Sequence, residues 1–155
     1  MAHSRGKTTG AAGPPRLQDT VRLSAAGAAM LLGDLEHRVL DAAWSAKRPA
    51  TARELFVRVA RTHDVVYITC VTVANRLVEK GLLTRAKEDD VFHYAPTLGR
   101  AEFTQQASRH VVQRLISLGS AAVSSSLVDV LAERDPEQLA ELARLVKAKM
   151  KEQRA

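Results

Sequence analysis

One stretch, Val66 to Gly81 (VYITCVTVANRLVEKG), constrains the fold more than any other, because it carries two faces at helical spacing. Cys70, Val73, Ala74 and Leu77 fall at i, i+3, i+4 and i+7 and make one apolar stripe. The opposite face is short and polar: Thr69, Thr72, Asn75 and Arg76, with Val71 among them and Lys80 near the end, before Gly81 as a terminator. Small hydroxyl, amide and guanidinium groups let a helix approach a DNA groove closely and touch both phosphates and base edges. The same pattern also describes an ordinary amphipathic helix with a solvated face, so the flanking sequence has to decide.

On the N-terminal side, Leu32, Leu35, Val39, Leu40, Ala43 and Trp44 form a helical stripe, and Asp34 and Glu36 sit in its first turn, where the helix dipole favours carboxylates. Trp44, the only tryptophan, ends this stripe and reads as a core anchor; Pro49 then breaks the helix. Thr51-Ala-Arg-Glu54 is a capping-box pattern, which starts a second helix with Leu55, Phe56, Val59 and Ala60 facing inward and ending near Arg61 to Asp64. Helix, turn, helix, short connection, helix is the order a helix-turn-helix domain needs, with the last helix presented to the groove.

Past Gly81 the period becomes extended. Leu82 to Arg85 and Val91 to Tyr94 read as strands around a polar turn, Ala86 to Asp90, and Pro96 stops the second strand. Three helices followed by a hairpin describe a winged helix. Arg85 and Lys87 would support DNA contact from the wing, but Glu88, Asp89 and Asp90 at its tip would repel phosphates, which implies a weak wing contact or a tip directed away.

The remainder is helical. Thr97 is the expected cap of a helix running to about Leu118, with Phe103, Ala107, Val111, Leu115 and Leu118 apolar and Gly119 as its stop. A shorter helix holds Val123, Leu127, Val130 and Leu131. Asp135-Pro-Glu-Gln138 opens a last one, whose stripe is Leu139, Leu142, Ala143, Val146 and Met150. These segments carry more apolar stripe than a lone arm can hide, so they either fold back on the wing domain or pair with a second copy. Pairing is favoured because DNA readers of this size are commonly two-fold dimers, and it assigns Val111, Leu115, Leu118, Leu127, Leu131, Leu139, Leu142 and Val146 to dimerisation. The expected class is mainly α with a small β-hairpin wing: a flexible basic tail over 1–30, a winged helix-turn-helix domain over 31–96 and a helical dimerisation domain over 97–155.

The net charge of +6 favours a polyanionic partner, but residues 1–30 carry four basic residues against one acid, and the rest is nearly neutral. Nucleic-acid affinity must then rest on where particular basic groups point, or on the tail. Arg5, Lys7, Arg16 and Arg22 would follow a phosphate backbone as a basic arm, or the tail is an inert leader. No apolar run is long enough to span a bilayer and no signal peptide is legible, so the expected location is cytoplasmic. A single cysteine excludes a disulfide framework. Cys70 near a helix start suggests a redox switch, but its place on the apolar stripe argues for a buried, inert residue. The five histidines show no i, i+4 pair and no cysteine partner, so no metal or other cofactor is expected. Neither a phosphate loop nor a catalytic motif is present, and the chain does not read as an enzyme.

Leu32-Gly-Asp-Leu-Glu36, Val39, Trp44, Thr51 to Leu55, Tyr67 to Leu82 and Phe92 to Pro96, taken in order, resemble the penicillinase-repressor family of the BlaI/MecI type. The resemblance implies a homodimeric winged-helix repressor on a palindromic promoter operator, released by a signal, with a dimer formed by the C-terminal helices. It also implies DNA contacts at the positions of Ile68, Thr69, Val71, Thr72, Asn75 and Arg76. Three departures matter. His110-Val111 stands near the Asn-Phe bond at which a sensor protease cuts staphylococcal-type members; the paired cysteines of copper-responsive relatives are missing; and Val71 replaces the Lys or Met common in the family. The inducing sensor protein or small-molecule effector is not legible. The competing reading is a winged-helix protein-interaction module that does not read DNA sequence, which the acidic wing tip and near-neutral body keep open.

Overall fold

The computed structural model describes residues 31–155, so the basic tail expected over 1–30 lies outside the described residues. The element order is α1 (Asp34–Ala46), β1 (Ala50–Thr51), α2 (Ala52–Ala60), α3 (Tyr67–Glu79), β2 (Leu83–Glu88), β3 (Val91–Pro96), α4 (Arg100–Ile116), α5 (Ser120–Arg134) and α6 (Pro136–Gln153). It is a winged helix followed by further helices. The chain forms two compact units, the first ending at Ser108 and the second beginning at Arg109.

The start of α2 and the end of α1 are each fixed by local contacts. Glu54 N–H donates to Thr51 Oγ1 at 3.2 Å and Thr51 N–H to Glu54 Oε2 at 3.3 Å, so the reciprocal capping box at α2 is formed. Arg48 adds a bidentate contact to the same carboxylate at 3.2 Å and holds the Glu54 carboxyl below the usual carboxylate range. A carboxyl lowered in the fold stabilises it above the unfolded-state value, and that contribution is lost as pH falls through the lowered value. We expect Thr51→Ala to cost about 1 kcal/mol, read as a lower urea midpoint followed by Trp44 fluorescence at constant slope. Lys47 closes α1 in the left-handed region at φ 58°, its N–H donating to the Trp44 carbonyl.

The wing departs from expectation in two ways. The turn is only Asp89-Asp90, both with positive φ (49° and 61°), between strands paired from Leu83↔Pro96 to Glu88↔Val91. A two-residue turn of that handedness matches the twist of its strands, and aspartate tolerates it, so Ala86, Lys87 and Glu88 belong to β2 rather than to a five-residue loop. The hairpin also gains a third strand: β1 pairs antiparallel with β3 (Ala50↔Tyr94), giving the order β1-β3-β2.

The core of this unit takes Val39, Leu40 and Ala43 from α1, Leu55 and Val59 from α2, Cys70, Val73, Ala74 and Leu77 from α3, and Leu83 and Tyr94 from the wing. Phe56, expected inward, is half-buried and meets Tyr67 edge-on at 5.8 Å, while Ala60 is exposed. Leu35 is only half-buried, and the buried first-turn residue of α1 is Glu36. Packing continues past Pro96. Trp44 Nε1 donates to the Leu98 carbonyl at 2.9 Å, and its ring lies 5.3 Å from that of the buried Phe103 in α4. Thr97 does not cap α4; its N–H donates to the Leu82 carbonyl, and the first helical bond runs from Phe103 N–H to Gly99.

In the second unit α5 packs against α6. Asp135 caps α6 by accepting from Gln138 N–H at 3.2 Å, with Pro136 at the first helical position. Neither helix contains a buried residue. Of the residues assigned to dimerisation, Val111, Leu115, Leu131, Leu139 and Leu142 are half-buried, Leu127 and Val146 are exposed, and Leu118 is 80% exposed.

Candidate nucleic-acid interface

Helix α3 presents its N-terminal half outward because only one of its faces is apolar. Cys70, Val73, Ala74, Leu77 and Val78 are buried, which turns Ile68, Thr69, Thr72 and Arg76 to solvent. Val66, the residue before the helix, provides no side-chain cap, so the first-turn N–H groups and the positive dipole end are left to the solvent or an anion. Ile68 is 74% exposed, an unusual position for so apolar a side chain. The Thr72 hydroxyl donates back to the Ile68 carbonyl at 3.0 Å, so its hydrogen is committed within the helix.

Two polar networks fix the rest of this face. Asn75 Oδ1 accepts from Arg85 Nη1 at 2.9 Å and from the Tyr94 hydroxyl at 2.7 Å. Arginine has only donors, so the amide end turned toward it must be oxygen; Asn75 therefore keeps its N–H groups for anything docked on α3. Burial pushes the Tyr94 hydroxyl pKa up, so it remains a donor in this bridge between α3 and the wing. The Arg85 guanidinium lies over the Phe92 ring at 4.3 Å; Lys87 Nζ is 5.8 Å from the same ring and 3.7 Å from Asp90.

The second network centres on Glu36. A buried carboxylate requires a counterion, and Lys80 Nζ supplies one at 2.6 Å, with Arg76 Nη1 at 3.9 Å from the other oxygen. Lys80, expected on the reading face, is thus turned toward α1 and three-quarters covered, whereas the Arg76 side chain remains 53% exposed. The sequence held a signal for this: Glu36 stands at helical spacing with Leu32, Val39, Leu40 and Ala43, and a charge on a buried stripe needs a partner.

Sequence reasoning missed Arg53 and Tyr67. With Thr51, Ala52, Val71, Asp90, Val91, Phe92 and Tyr94 they line an open cleft of about 300 Å³ between the starts of α2 and α3 and the wing, and Arg53 stacks on the Tyr67 ring at 5.0 Å. The capping box explains the position, since it starts α2 beside this cleft. Val71 faces into the cleft and is half-buried. Cys70 is fully buried, and burial pushes its thiol up to about 11, against a redox switch at neutral pH. We expect a disulfide reagent at pH 8 to leave Cys70 unmodified in the folded protein and to modify it fully in denaturant. Among the described residues, no group of three or more His, Cys, Asp or Glu is placed to hold a metal ion, and no helix is long and apolar enough to cross a membrane.

Known transcriptional regulators are similar to this chain. The transcriptional regulator BlaI of Mycobacterium tuberculosis strain CDC 1551 / Oshkosh is 39% identical over 71 residues, which is 46% of this chain and 51% of the relative. The protein of the same name from strain ATCC 25618 / H37Rv matches to the same extent. The chain thus spans about half the length of the curated relatives it matches. The family described as penicillinase repressor matches far more, residues 32–148, from the start of the winged helix into α6. With that match over most of its length and a winged helix of the matching kind, the chain belongs to the penicillinase repressor family.

Proposed function

We propose that this protein is a cytoplasmic, sequence-specific transcriptional repressor that binds promoter DNA as a homodimer on a two-fold operator and leaves it on a signal. The observation that carries this reading is the outward half of α3, uncapped at its positive end, with Arg76 exposed and Asn75 braced by Arg85 and Tyr94 of the wing. Family membership supports it, as does the role of the mycobacterial relatives as transcriptional regulators. Each protomer inserts α3 into a major groove. Ile68, Thr69, Thr72, Asn75 and Arg76 face the base edges, Val71 adjoins them from the cleft, and Arg85 and Lys87 approach the backbone from the wing. Lys80 serves as the counterion of Glu36. Repression is steric: bound operator excludes polymerase. The dimer is formed through the half-exposed apolar residues of the C-terminal helices, which neither α5 nor α6 buries within its own unit.

The test is a genomic selection in which the purified protein is incubated with sheared DNA of its source and bound fragments are sequenced at two salt concentrations. A two-fold motif with half-sites about one helical turn apart, retained at the higher salt, is the expected result. Binding lost with salt regardless of sequence would instead point to the interaction module that the acidic tip at Glu88, Asp89 and Asp90 favours, because nonspecific phosphate contacts release counterions in proportion to their number.

A further inference from the structure

We infer that α3 reads thymine methyl groups, so that each operator half-site carries thymines in register with Ile68 and Thr72. The inference rests on the DNA-reading function proposed above and specifies what is read. The outward groups of the helix decide it. Ile68, the most exposed large apolar side chain of α3, has no polar atom to offer a base. Thr72 lies one turn further along the same face; with its hydroxyl hydrogen held by the Ile68 carbonyl it has no donor to offer, only its methyl and an acceptor oxygen. Val71 adjoins both from the side of the cleft. Lys80 is withdrawn to Glu36, and the Asn75 oxygen is occupied by Arg85 and Tyr94. Ile68 and the Thr72 methyl thereby form an apolar strip on the reading face, flanked by the Thr69 hydroxyl, the amide N–H groups of Asn75 and the Arg76 guanidinium.

The largest apolar group on the floor of the major groove is the C5-methyl of thymine, and it is the best match for an apolar strip. The donors and acceptors there would be left unpaired if Ile68 covered them, and the C5–H of cytosine offers less apolar surface than a methyl. The flanking donors complement this reading, because the N–H groups of Asn75 and Arg76 suit purine N7 and O6 acceptors.

The experiment uses the full chain and an operator fragment found by the selection above, with each thymine replaced singly by deoxyuridine, which removes the methyl and leaves the pairing unchanged. At two positions in each half-site, affinity should fall about fourfold per lost methyl, the worth of one buried methylene-sized group. Ile68→Ala should abolish the difference between thymine and uracil at one of these positions, and Thr72→Ser, which keeps the hydroxyl and drops only the methyl, should abolish it at another. Both side chains are exposed, so neither change should unfold the protein. If sequence preference is present but no deoxyuridine substitution changes affinity, the methyl reading is overturned while the repressor reading stands. The methyl reading falls equally if the uracil effect is undiminished in both variants, since the methyl then acts through DNA shape. An absence of any sequence preference overturns both readings.

Discussion

Phe103→Ala is expected to destabilise the protein by about 3–5 kcal/mol, the cost of emptying the place of an aromatic ring in a packed core. Phe103 is 1% exposed and lies against Trp44, so its removal loses both the transfer free energy of an aromatic ring and the contacts of the tryptophan that faces it. Trp44 is also fixed by its bond to the Leu98 carbonyl and by the Arg100 guanidinium at 5.1 Å. It should therefore remain in place beside a cavity rather than collapse into it. Urea unfolding followed by Trp44 fluorescence checks this directly, because that residue is the only tryptophan and sits at the altered contact. Phe103→Leu should cost much less, since it refills most of the space with an apolar side chain. An unchanged midpoint in Phe103→Ala would show that α4 does not belong to the core of the winged helix.

Arg76→Ala should weaken operator binding by about 1–3 kcal/mol at each half-site if the guanidinium reads a base, roughly five- to 150-fold per protomer and the product of two such factors for a dimer. The side chain is half-exposed and only loosely paired at 3.9 Å, so it can reach outward without stripping Glu36 of its counterion. Lys80→Ala is the informative contrast. It should leave operator affinity nearly unchanged per folded molecule but lower stability by about 1–3 kcal/mol, less than the full cost of an orphaned buried charge because Lys80 is partly exposed and Arg76 remains nearby. Measuring affinity by fluorescence anisotropy and stability by urea separates the two roles. Equal losses of affinity in both variants would mean that the two cations act together at the DNA rather than dividing the work.

Much of the architecture is legible in the sequence because it is written in local patterns. The capping box at Thr51, the stripe of Cys70, Val73, Ala74 and Leu77, the Asp135-Pro136 start of α6 and the strand pair after Gly81 each depend on residues within a few positions of one another. What escapes such reading is set by groups distant in sequence. Strand β1 pairs with β3 across some forty residues, and nothing local distinguishes Ala50-Thr51 from a helix cap. The turn at Asp89-Asp90 looks longer in the sequence than it is, because a run of charges reads as loop until strand pairing shows which two residues carry positive φ. Thr97 has the chemistry of a cap, but its N–H pairs with the Leu82 carbonyl at the end of the sheet and the first helical bond is accepted two residues later, by Gly99.

The candidate site divides in the same way. The sequence alone determined that α3 has a polar face holding Thr69, Thr72, Asn75 and Arg76, since helical period and side-chain type suffice to sort residues by face. Which of those groups are free to act was decided only by tertiary structure. Glu36 comes from α1, 44 residues from Lys80, and the cost of burying its charge draws that lysine off the outward face of α3. Arg85 and Tyr94 come from two strands of the wing and occupy the Asn75 oxygen. A helix period fixes the direction in which a side chain leaves the backbone, but its partners are chosen by desolvation and hydrogen bonding between elements that only folding brings together.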